Sequence, residues 1–425
     1  MKVLVIGRGG REHSLVQKFA ESPQVAEVYA APGNAGMEEE AECVPISETS
    51  HGELVAFAQE SGVDVTFVGP ENPLLDGIVD DFKEAGLLVF GPTKEAALLE
   101  GSKHYAKQIM KKYSIPTAEY EAFTNAEEAK TYIEKKGAPI VVKADGLAAG
   151  KGVVVAETVS QAVEAVDEML LNRRFGEASK EIVVEEFLEG EEYSLMAFVN
   201  GEDVYPMVTA RDHKRAYEGD EGPNTGGMGA FAPAQDLPEG EYEFAVESIL
   251  KQTASAMVQE GRPFTGILYA GLIQTSQGSK VIEFNARFGD PETQVVLPLL
   301  ENDLLQVILD VLDHKNPELT WKKQSCAGVV VASAGYPGSY QKGVPLPQLD
   351  KQPGLFIVHA GTKKVKESYV SDGGRVLLFG KTADSLSAAL TEVNEALTVF
   401  DRSEDFFYRK DIGQSSIISS NENIE

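Results

Sequence analysis

The segment VKADGLAAGKGV (142–153) contains the end of one run of β-forming residues, 140–143, and the start of another, 153–156. Two such runs joined by a glycine-rich stretch predict a β-hairpin. Glycine and alanine leave the loop without large side chains, so backbone N–H groups can approach phosphate oxygens, and Lys143 and Lys151 add positive charge. We therefore predict a hairpin whose loop binds phosphate, although an ordinary flexible hairpin would have the same pattern.

A Walker A loop is the nearest alternative for this segment. That motif requires glycine where this chain has Asp145, and serine or threonine where it has Gly152. It also precedes a helix, whereas a strand pattern follows here. We therefore expect phosphate to be bound in another way.

A second pattern occupies residues 281–290, VIEFNARFGD. Alternation with a period of two places Glu283, Asn285 and Arg287 on one face of a strand and the apolar positions 282, 284, 286 and 288 on the other. Carboxylate and amide oxygens suit Mg²⁺, and a guanidinium group suits phosphate. A half-exposed strand without a function could carry these residues, but the charged turn that follows, FGDPE (288–292), favours a metal- and phosphate-binding strand.

Two further segments are candidates for contacts with small molecules. The stretch 211–229, which includes RDHKR and GDEGPNTGGMG, has too much glycine for a helix or a strand. Long ordered loops inside compact domains usually serve a function, so we predict a substrate loop, with His213 more often structural than catalytic. The stretch VVEEFLEGEE (183–192) could hold adenine and ribose, but taken alone it is better explained as a strand entering an acidic turn.

The first hundred residues alternate strand and helix patterns, which predicts a parallel sheet. Three strands run into the turns 7–10, 31–34 and 69–72, and open α/β sheets bind ligands at the carboxyl ends of their strands. The turn GRGG (7–10) could receive a phosphate group at a helix N-terminus. A dinucleotide fingerprint would need glycine where Glu12 stands, so a nicotinamide-dependent oxidoreductase is disfavoured.

The remaining patterns predict a small α+β lobe, then longer strands and helices to about residue 325, and a last α/β-like module from about 329. A chain of 425 residues with 43% hydrophobic content is long enough for several cores. Its net charge of −29 disfavours nucleic acid and anionic membranes as partners. The two cysteines lack disulfide or metal-site spacing, and no apolar run approaches the roughly 20 residues of a membrane span. We expect a cytoplasmic protein.

These motifs together resemble those of the glycinamide ribonucleotide synthetase family, within the ATP-grasp superfamily, over nearly the full length. The matching stretches are GRGGREHSL (7–15), PGNAG (32–36), GPENPL (69–74), GPTKEAALLEGSK (91–103), VKADGLAAGKGV (142–153), VVEEFLEGEEYS (183–194), DHKRAYEGDEGPNTGGMGA (212–230), GILYAGL (266–272), IEFNARFGDPETQ (282–294) and RKDIG (409–413). Agreement by chance over so many motifs in one order is implausible.

The resemblance implies an α/β and α+β multidomain fold. It would have a Rossmann-like N-terminal domain (1–102), an ATP-grasp core of two lobes (103–325) and a small C-terminal α/β domain (326–425). The small mobile lobe of the core would span about residues 120–190. The two lobes would clasp ATP, with the loop 145–152 closing over its phosphates.

The resemblance also implies roles for individual residues. Those implied for ATP are Lys103 and Lys143 on the phosphates, Gly150, Lys151 and Gly152 in the loop, Glu185, Phe187 and Leu188 around adenine, and Glu192 on ribose. Those implied for 5-phosphoribosylamine are Gly9, Gly10, Gly33, Asn34 and Glu71. Those implied for glycine are Asp212, Asn224, Gly226 and Gly229. Glu283 and Asn285 would hold Mg²⁺ or Mn²⁺, and the catalytic residues would be Arg287, Asp212 and Lys143.

The implied reaction is ATP-dependent amide formation between glycine and 5-phosphoribosylamine through glycyl phosphate, an early step of purine synthesis. We expect a monomer without nucleic-acid or membrane partners. Another ATP-grasp carboxylate–amine ligase, or a carboxylase-type enzyme, would share the loop 145–152 and the strand at 283–287. Such an enzyme would not need both the N-terminal turns and the 212–229 loop. A nucleotide-binding regulator should lack an intact metal strand.

Overall fold

The first hundred residues form an open parallel sheet in the computed structural model, which describes residues 1–148, 152–349 and 352–417. Its elements are β1 (Lys2–Gly7), α1 (Gly10–Ala20), β2 (Glu27–Pro32), a 3-10 turn (Ala35–Glu39), β3 (Glu42–Cys43), α2 (His51–Glu60), β4 (Val65–Val68), α3 (Glu71–Asp76), α4 (Ile78–Glu84) and β5 (Val89–Phe90). The strand order is β3-β2-β1-β4-β5, and every pair is parallel. The predicted parallel sheet is confirmed, with β1 at its centre.

The apolar spacing of residues 75–85 predicts one helix, but the structure has a break at Gly77. α3 ends at Asp76 and α4 begins at Ile78, because Gly77 between them has a φ of 97°. Glycine adopts this left-handed region without the strain that a Cβ would bring. The apolar spacing continues across the break, so periodicity alone predicted one helix.

The small lobe is an antiparallel sheet covered by helices. Its elements, with the two helices that precede it, are α5 (Lys94–Gly101), α6 (Lys103–Lys112), β6 (Tyr120–Phe123), α7 (Ala126–Lys136), β7 (Ile140–Ala144), β8 (Val153–Ala156), α8 (Val159–Val166), a π-helical turn (Asp167–Leu171), a 3-10 turn (Gly176–Ser179) and β9 (Ile182–Glu186). The strand order is β6-β9-β7-β8. β7 and β8 pair antiparallel with Ile140 opposite Ala156, which confirms the predicted hairpin.

A second antiparallel sheet forms the large lobe. The elements from residue 191 to residue 312 are β10 (Glu191–Asn200), β11 (Asp203–Pro206), β12 (Arg211–Asp212), β13 (Arg215–Tyr217), a 3-10 turn (Glu218–Asp220), β14 (Glu221–Asn224), β15 (Gly229–Ala232), α9 (Glu241–Phe244), a π-helical segment (Ala245–Lys251), α10 (Gln252–Gln259), β16 (Thr265–Thr275), β17 (Gly278–Asn285), α11 (Thr293–Val296), a 3-10 turn (Leu297–Leu299) and α12 (Leu304–Leu312). The sheet order is β11-β10-β16-β17. Within the described residues, no helix has both the length and the apolar character needed to cross a membrane.

The segment 211–229 contains strands, so the prediction that it has too much glycine for a strand is wrong. β12 and β15 pair antiparallel, with Asp212 opposite Ala230. β13 and β14 form a separate hairpin, which we call the 215–224 hairpin, with Tyr217 opposite Glu221. Gly219, in its turn, has a φ of 71°. The strands form because pairing partners are available, which local composition does not reveal.

The C-terminal unit contains an antiparallel sheet with α-helical structure packed on it. Its elements are β18 (Ser325–Ser333), β19 (Leu355–His359), β20 (Thr362–Val365), β21 (Ser368–Ser371), β22 (Arg375–Ala383), α13 (Leu386–Leu397), a 3-10 turn (Thr398–Phe400) and β23 (Phe406–Phe407). The main sheet has the order β12-β15-β18-β22-β19, and β23 also pairs with β18. Because β12 and β15 precede residue 325, this sheet crosses the boundary predicted between the second and third domains.

Residues from both faces of the N-terminal parallel sheet belong to apolar clusters that extend into the large lobe. One apolar cluster includes Leu4 of β1 and Leu268 of β16, and another includes Val5 of β1 and Ile267 of β16. The N-terminal sheet and the large lobe therefore share two cores, which fixes the turns at the ends of the parallel strands relative to β17.

We expect Phe288→Ala to destabilise the fold by about 3–5 kcal/mol, the usual cost of removing a buried aromatic ring. Phe288 is 0% exposed, and its ring centroid lies 5.9 Å from that of Phe67 in β4 and 6.1 Å from that of Phe198 in β10. The free energy of unfolding from urea denaturation measures the loss. Phe244→Ala, at a side chain that is 37% exposed, is the matched control and should cost far less. Equal losses would contradict a shared core.

Candidate active site

The described part of the 145–152 loop is held at the N-terminus of α6. Asp145 accepts hydrogen bonds from the backbone N–H of His104 at 2.6 Å and from the hydroxyl of Ser102 at 3.2 Å. Lys103 Nζ donates to the carbonyl of Gly146 at 3.1 Å. Free N–H groups at a helix N-terminus stabilise a carboxylate. The aspartate that excluded a Walker A loop therefore anchors this loop beside Lys103.

Lys143 connects the small lobe to β17. Its Nζ donates to Glu185 Oε2 at 2.9 Å and to the carbonyl of Ile282 at 3.3 Å. Lys107 Nζ lies 3.3 Å from the same Glu185 oxygen. Burial lowers the pKa of Lys107 to about 8, although the Glu185 carboxylate opposes this shift. Two lysines around one carboxylate, all buried, leave net positive charge that suits a phosphate group.

The residues predicted around adenine and ribose lie where the chain passes from the small lobe to the large lobe. Phe187 is exposed and Leu188 is half-buried. Glu185, by contrast, belongs to the buried ion cluster with Lys143. Glu192 lies near the start of β10, where its Oε2 accepts from Lys214 Nζ at 2.8 Å. The two apolar side chains can contact a planar base, and Glu192 is one of several exposed carboxylates at the end of this segment.

Lys103, Lys143 and Glu283 lie close enough to influence one another electrostatically. Burial lowers the pKa of Lys103, the Glu283 carboxylate opposes the shift, and the Lys143 ammonium adds to it. Two cations and a carboxylate thus meet between α6, β7 and β17. The predicted loop residues Gly150 and Lys151 lie outside the described residues, and Gly152 is buried where the chain enters β8.

The alternation predicted for β17 is interrupted by a bulge. Glu283 lies opposite Gly271 and Val281 opposite Leu272, so Ile282 is the extra residue. The strand ends at Asn285. Arg287 therefore lies beyond the strand rather than on its face, as the alternation had placed it. It still contacts this group, because its Nη2 donates to Asn285 Oδ1 at 3.2 Å.

Glu283 and Asn285 present a carboxylate and an amide carbonyl oxygen within three residues. These oxygen donors fit a hard divalent cation, which in nucleotide sites is held by one or two carboxylates together with substrate phosphates. No group of three or more His, Cys, Asp or Glu side chains suited to a metal occurs among the described residues. Protein oxygens therefore fit only part of such a coordination shell, and the neighbouring Lys103 and Lys143 are suited to the phosphates that would complete it.

Arg287 is enclosed by two carboxylates from the N-terminal region. Its Nη2 lies 3.0 Å from Glu100 Oε1, and its Nε lies 3.4 Å from Glu71 Oε2. Burial alone would raise the pKa of Glu71, but Arg287 and Arg11 outweigh burial and lower it. For Glu100 burial prevails and raises the pKa, despite Arg287. These contacts fix the guanidinium group beside Asn285.

The N-terminal turn is organised around Glu12, the residue that replaces the third glycine of a dinucleotide site. Its Oε2 accepts from the backbone N–H of Gly9 at 2.7 Å. A Cβ added at Gly69 would lie 2.1 Å from Glu12 Oε1, and one at Gly7 would lie 2.5 Å from Glu12 Cγ. The buried carboxylate thus fills the space between two strand ends.

The other residues predicted for phosphoribosylamine border the same turn. Asn34 Nδ2 donates to the carbonyls of Arg8 at 2.8 Å and of His359 at 2.9 Å, so the Asn34 amide holds two loops together. Gly33 has a φ of 66°, which the tight turn after β2 requires. A Cβ at Gly10 would lie 2.7 Å from Gln294 Nε2. The side chain of Asn34 is therefore committed to protein contacts.

Asp212 lies in a group of charged residues that sequence analysis did not connect. Burial raises the pKa of Asp212 to about 7, with Lys214 opposing and Glu292 and Glu192 adding to the shift. Burial would lower the pKa of Lys214, but Asp212 and Glu192 outweigh it and raise the pKa well above its usual range. Lys214 is the cation of this group, and carboxylates lie around it. A group with charges of both signs suits a small zwitterion.

The loop around Gly226 is fastened to the C-terminal unit. Arg375 Nη1 donates to the carbonyl of Gly226 at 2.8 Å, and Arg375 Nη2 lies 3.2 Å from Asp290 Oδ2. The backbone N–H of Gly226 donates to the Tyr336 hydroxyl at 2.9 Å. A Cβ at Gly229 would lie 2.8 Å from the carbonyl of Gly328, so the two strands approach closely.

Lys214, Glu100 and Arg375 were not predicted from the sequence as parts of this site. Lys214 stands in the quoted stretch RDHKR, but its partner Glu192 is 22 positions away. Arg375 is 149 positions from the glycine that it holds. Asn224, predicted for glycine, is half-buried at the end of β14. For Lys214, the only sign of a role in the sequence was its position near a predicted substrate residue. That position did not identify the partners of Lys214.

Three family models match the chain in order. A model described as the N domain of phosphoribosylglycinamide synthetase matches residues 1–100, one described as its ATP-grasp (A) domain matches residues 101–293, and one described as its C domain matches residues 326–415. The predicted fold class, a multidomain protein with an ATP-grasp core, is confirmed by these matches.

Individual proteins agree with the family models. A phosphoribosylamine–glycine ligase of Halalkalibacterium halodurans is 58% identical over 418 residues, covering 98% of this chain and 97% of that protein. The crystal structure of a phosphoribosylamine–glycine ligase from Thermotoga maritima has a TM-score of 0.84 at 32% identity, covering 97% of this chain and all (100%) of that one. A biotin carboxylase from Campylobacter jejuni shares only the fold, with a TM-score of 0.73 at 15% identity, covering 96% of this chain and 91% of that one. The chain therefore belongs to the phosphoribosylglycinamide synthetase family of ATP-grasp ligases.

Proposed function

We propose that this chain joins glycine to 5-phosphoribosylamine at the expense of ATP, giving glycinamide ribonucleotide, ADP and phosphate. The observation that supports this most is that groups suited to a nucleotide lie near the group that contains Asp212. Lys103, Lys143 and Glu283 are suited to a metal-bound nucleotide. Asp212, through Lys214, is electrostatically linked to the same region, since Glu283 is among the carboxylates that raise the pKa of Lys214. The 58% identity to a phosphoribosylamine–glycine ligase supports the choice of substrates.

The nucleotide would be bound mainly by the small lobe. Lys103 and Lys143 would contact its phosphates, with the glycine loop of residues 145–152 nearby. Phe187 and Leu188 would contact adenine, and Glu192 would accept from ribose hydroxyls. The ion pair of Glu185 with Lys143 and Lys107 makes Glu185 a holder of these lysines as well as a neighbour of the base.

The first chemical step needs a glycine carboxylate in line with the terminal phosphate. Asp212 would pair with the glycine ammonium, and Asn224, Gly226 and Gly229 would line the space around it. The carboxylate oxygen then bonds to the phosphorus and the bond to ADP breaks, which gives glycyl phosphate. Arg287, fixed by Glu71 and Glu100, would stabilise the negative charge that moves onto the phosphoryl oxygens.

The second step needs the amine of phosphoribosylamine beside that acyl group. Gly10, at the N-terminus of α1, would offer its backbone N–H group to the phosphate. Gly9 and Gly33 would border the phosphate without donating to it, because their N–H groups donate to Glu12 Oε2 and to the carbonyl of Gly7. Asn34 would act chiefly by holding these turns, and Glu71 would contact the sugar. The amine attacks the acyl carbon, and the bond between that carbon and the phosphate oxygen breaks. Phosphate leaves with the electron pair, and the nitrogen loses a proton to form the amide. Enclosure by the lobes would keep water from the acyl phosphate.

Several finer features belong to the same proposal. A Mg²⁺ or Mn²⁺ ion held by Glu283 and Asn285 would neutralise phosphate charge. The enzyme would work as a monomer in the cytoplasm. Its domains would be 1–102, 103–325 and 326–425, with a mobile small lobe at about 120–190.

Release of ADP with different substrates tests the proposal. We expect sustained ADP release only when glycine and phosphoribosylamine are both present, and little with phosphoribosylamine alone, because phosphoryl transfer needs the glycine carboxylate. A panel of other amino acids and bicarbonate serves as the control. Equal turnover with another acid in place of glycine would indicate a different ATP-grasp ligase.

Glu283→Gln should lower glycine-dependent ADP formation by at least about 100-fold, because a metal ion supplies several kcal/mol of charge stabilisation. The change keeps the shape of the side chain, so the unfolding midpoint should stay near that of the wild type. Glu247→Gln, which alters an exposed carboxylate paired with Lys251, is the matched control. Normal turnover of Glu283→Gln would remove this residue from the metal site.

Glycine affinity should fall as the pH falls through about 7, where burial has placed the pKa of Asp212. Below that pH the Asp212 carboxyl is protonated and neutral and cannot pair with an ammonium group, whereas above it the carboxylate is present. Titration of a single proton can change the affinity for glycine by at most about tenfold per pH unit. Calorimetric binding of glycine, with a non-hydrolysable ATP analogue present, measures this between about pH 5.5 and 8.5. Asp212→Asn should bind weakly at every pH, and an unchanged pH profile in that variant would argue against Asp212.

A further inference from the structure

The motif RKDIG (409–413) has no place in the reaction described so far, yet it contacts the segment that carries Asp212. Arg409 follows β23 in the C-terminal unit, and its side chain is only 1% exposed. It lies against the 215–224 hairpin, nearly 200 positions earlier in the chain. A buried arginine in a connecting segment needs several partners to offset the loss of its hydration.

All three nitrogens of the Arg409 guanidinium group have partners, two of them in Asp411 and one in the hairpin. Nε and Nη2 donate to the two oxygens of Asp411 at 2.8 and 2.6 Å. Nη1 donates to the carbonyl of Arg215 at 3.0 Å and lies 2.9 Å from Asp220 Oδ1. The two-oxygen pairing with Asp411 fixes the plane of the group. Arg409 thereby holds the start of β13 and the turn of the hairpin together.

The rest of the motif contacts the same hairpin and its neighbour. The backbone N–H of Gly219 donates to Asp411 Oδ2 at 2.9 Å. The backbone N–H of Gly413 donates to His213 Nε2 at 3.2 Å, so this nitrogen carries no proton. Burial, with Arg409 adding to it, lowers the pKa of His213 to about 4. His213 is therefore a neutral supporting residue, which agrees with the structural role expected for a lone histidine.

These contacts reach the glycine-binding residues through short backbone links. The backbone N–H of His213, next to Asp212, donates to the carbonyl of Gly229 at 2.9 Å. The carbonyl of Lys214 accepts from the backbone N–H of Thr225 at 2.7 Å and from its hydroxyl at 2.8 Å. Asp212 thus precedes the hairpin and Thr225 follows it directly, so the position of the hairpin sets the spacing between them.

We propose that Arg409 and Asp411 are positioning residues that hold the 215–224 hairpin so that Asp212 and the 225–229 loop form the glycine site. The inference rests on the proposed function, because it takes Asp212 as the residue that binds the glycine ammonium. An apolar side chain of similar size would fill the space with less loss of hydration, so the charged, fully partnered guanidinium group points to orientation rather than packing.

Steady-state kinetics of Arg409→Met tests the proposal in the full-length enzyme. We expect the KM for glycine to rise by at least about tenfold, since small displacements at a distance from the chemistry can cost up to 100-fold. The KM for ATP should stay within about twofold, because the nucleotide contacts lie on the small lobe and β17. Arg409→Lys should recover part of the loss. Arg402→Met, at an exposed arginine of the same region, is the matched control.

The unfolding midpoint separates positioning from simple stabilisation. A lower midpoint with an unchanged KM for glycine in Arg409→Met would overturn the proposal. If that variant does not fold, Asp411→Asn carries the same test, since Arg409 retains its contact with Asp220. An unchanged KM for glycine in a folded Asp411→Asn would then overturn it. If the wild type itself fails to use glycine, the proposed function has failed instead, and the two outcomes remain distinct.

Discussion

The contact of Lys143 with both lobes is the constraint on which the rest of the site depends. Its Nζ donates to Glu185 on the small-lobe sheet and to the carbonyl of Ile282 on β17. Ile282 offers that carbonyl because it is the extra residue of a bulge, immediately before Glu283. One ammonium group thus brings the small lobe beside the strand that carries the two oxygen donors. The buried Lys143 ammonium is stabilised there by its ion pair with Glu185 and its hydrogen bond to the carbonyl of Ile282.

The same need for paired charge explains why three parts of the chain build one site. Arg287 beyond β17 is fixed by Glu71 and Glu100, which precede the ATP-grasp core. The loop at Gly226 is fixed by Arg375 of the C-terminal unit. In the folded site, cations of one segment pair with carboxylates of another. No segment could therefore hold its charged groups in place alone. The shared cores and the sheet that runs from β12 to β19 provide the rigid support that such pairing needs.

Local patterns in the sequence predicted the elements that local physics determines. The hairpin around Asp145 and the parallel sheet of the first hundred residues follow from glycine placement and apolar periodicity. The break at Gly77 was missed because the apolar spacing continues across it. The strands at 211–229 were missed because they depend on their pairing partners, β15 for β12 and β14 for β13, which glycine content does not reveal. The roles of site residues came from resemblance to a family rather than from the patterns themselves.

The charged partners were harder to predict for the same reason. The role of Lys214 depends on its charge interactions with Glu192 and Asp212, and only folding brings Glu192 beside it. The alternation predicted only that the side chain of Ile282 faces the core. The bulge leaves the backbone carbonyl of Ile282 free to accept a hydrogen bond from Lys143. Because a bulge depends on the partner strand, the alternation of one strand could not reveal it.

A crystal structure with a non-hydrolysable ATP analogue, Mn²⁺ and glycine would test the central claim most directly, since the anomalous signal of the metal locates it independently of the protein chain. The account predicts a metal peak bound by oxygens of Glu283, Asn285 and the phosphates, with Lys103 and Lys143 on those phosphates and glycine beside Asp212. A nucleotide bound away from Lys143, or a metal without a contact to Glu283, would contradict it.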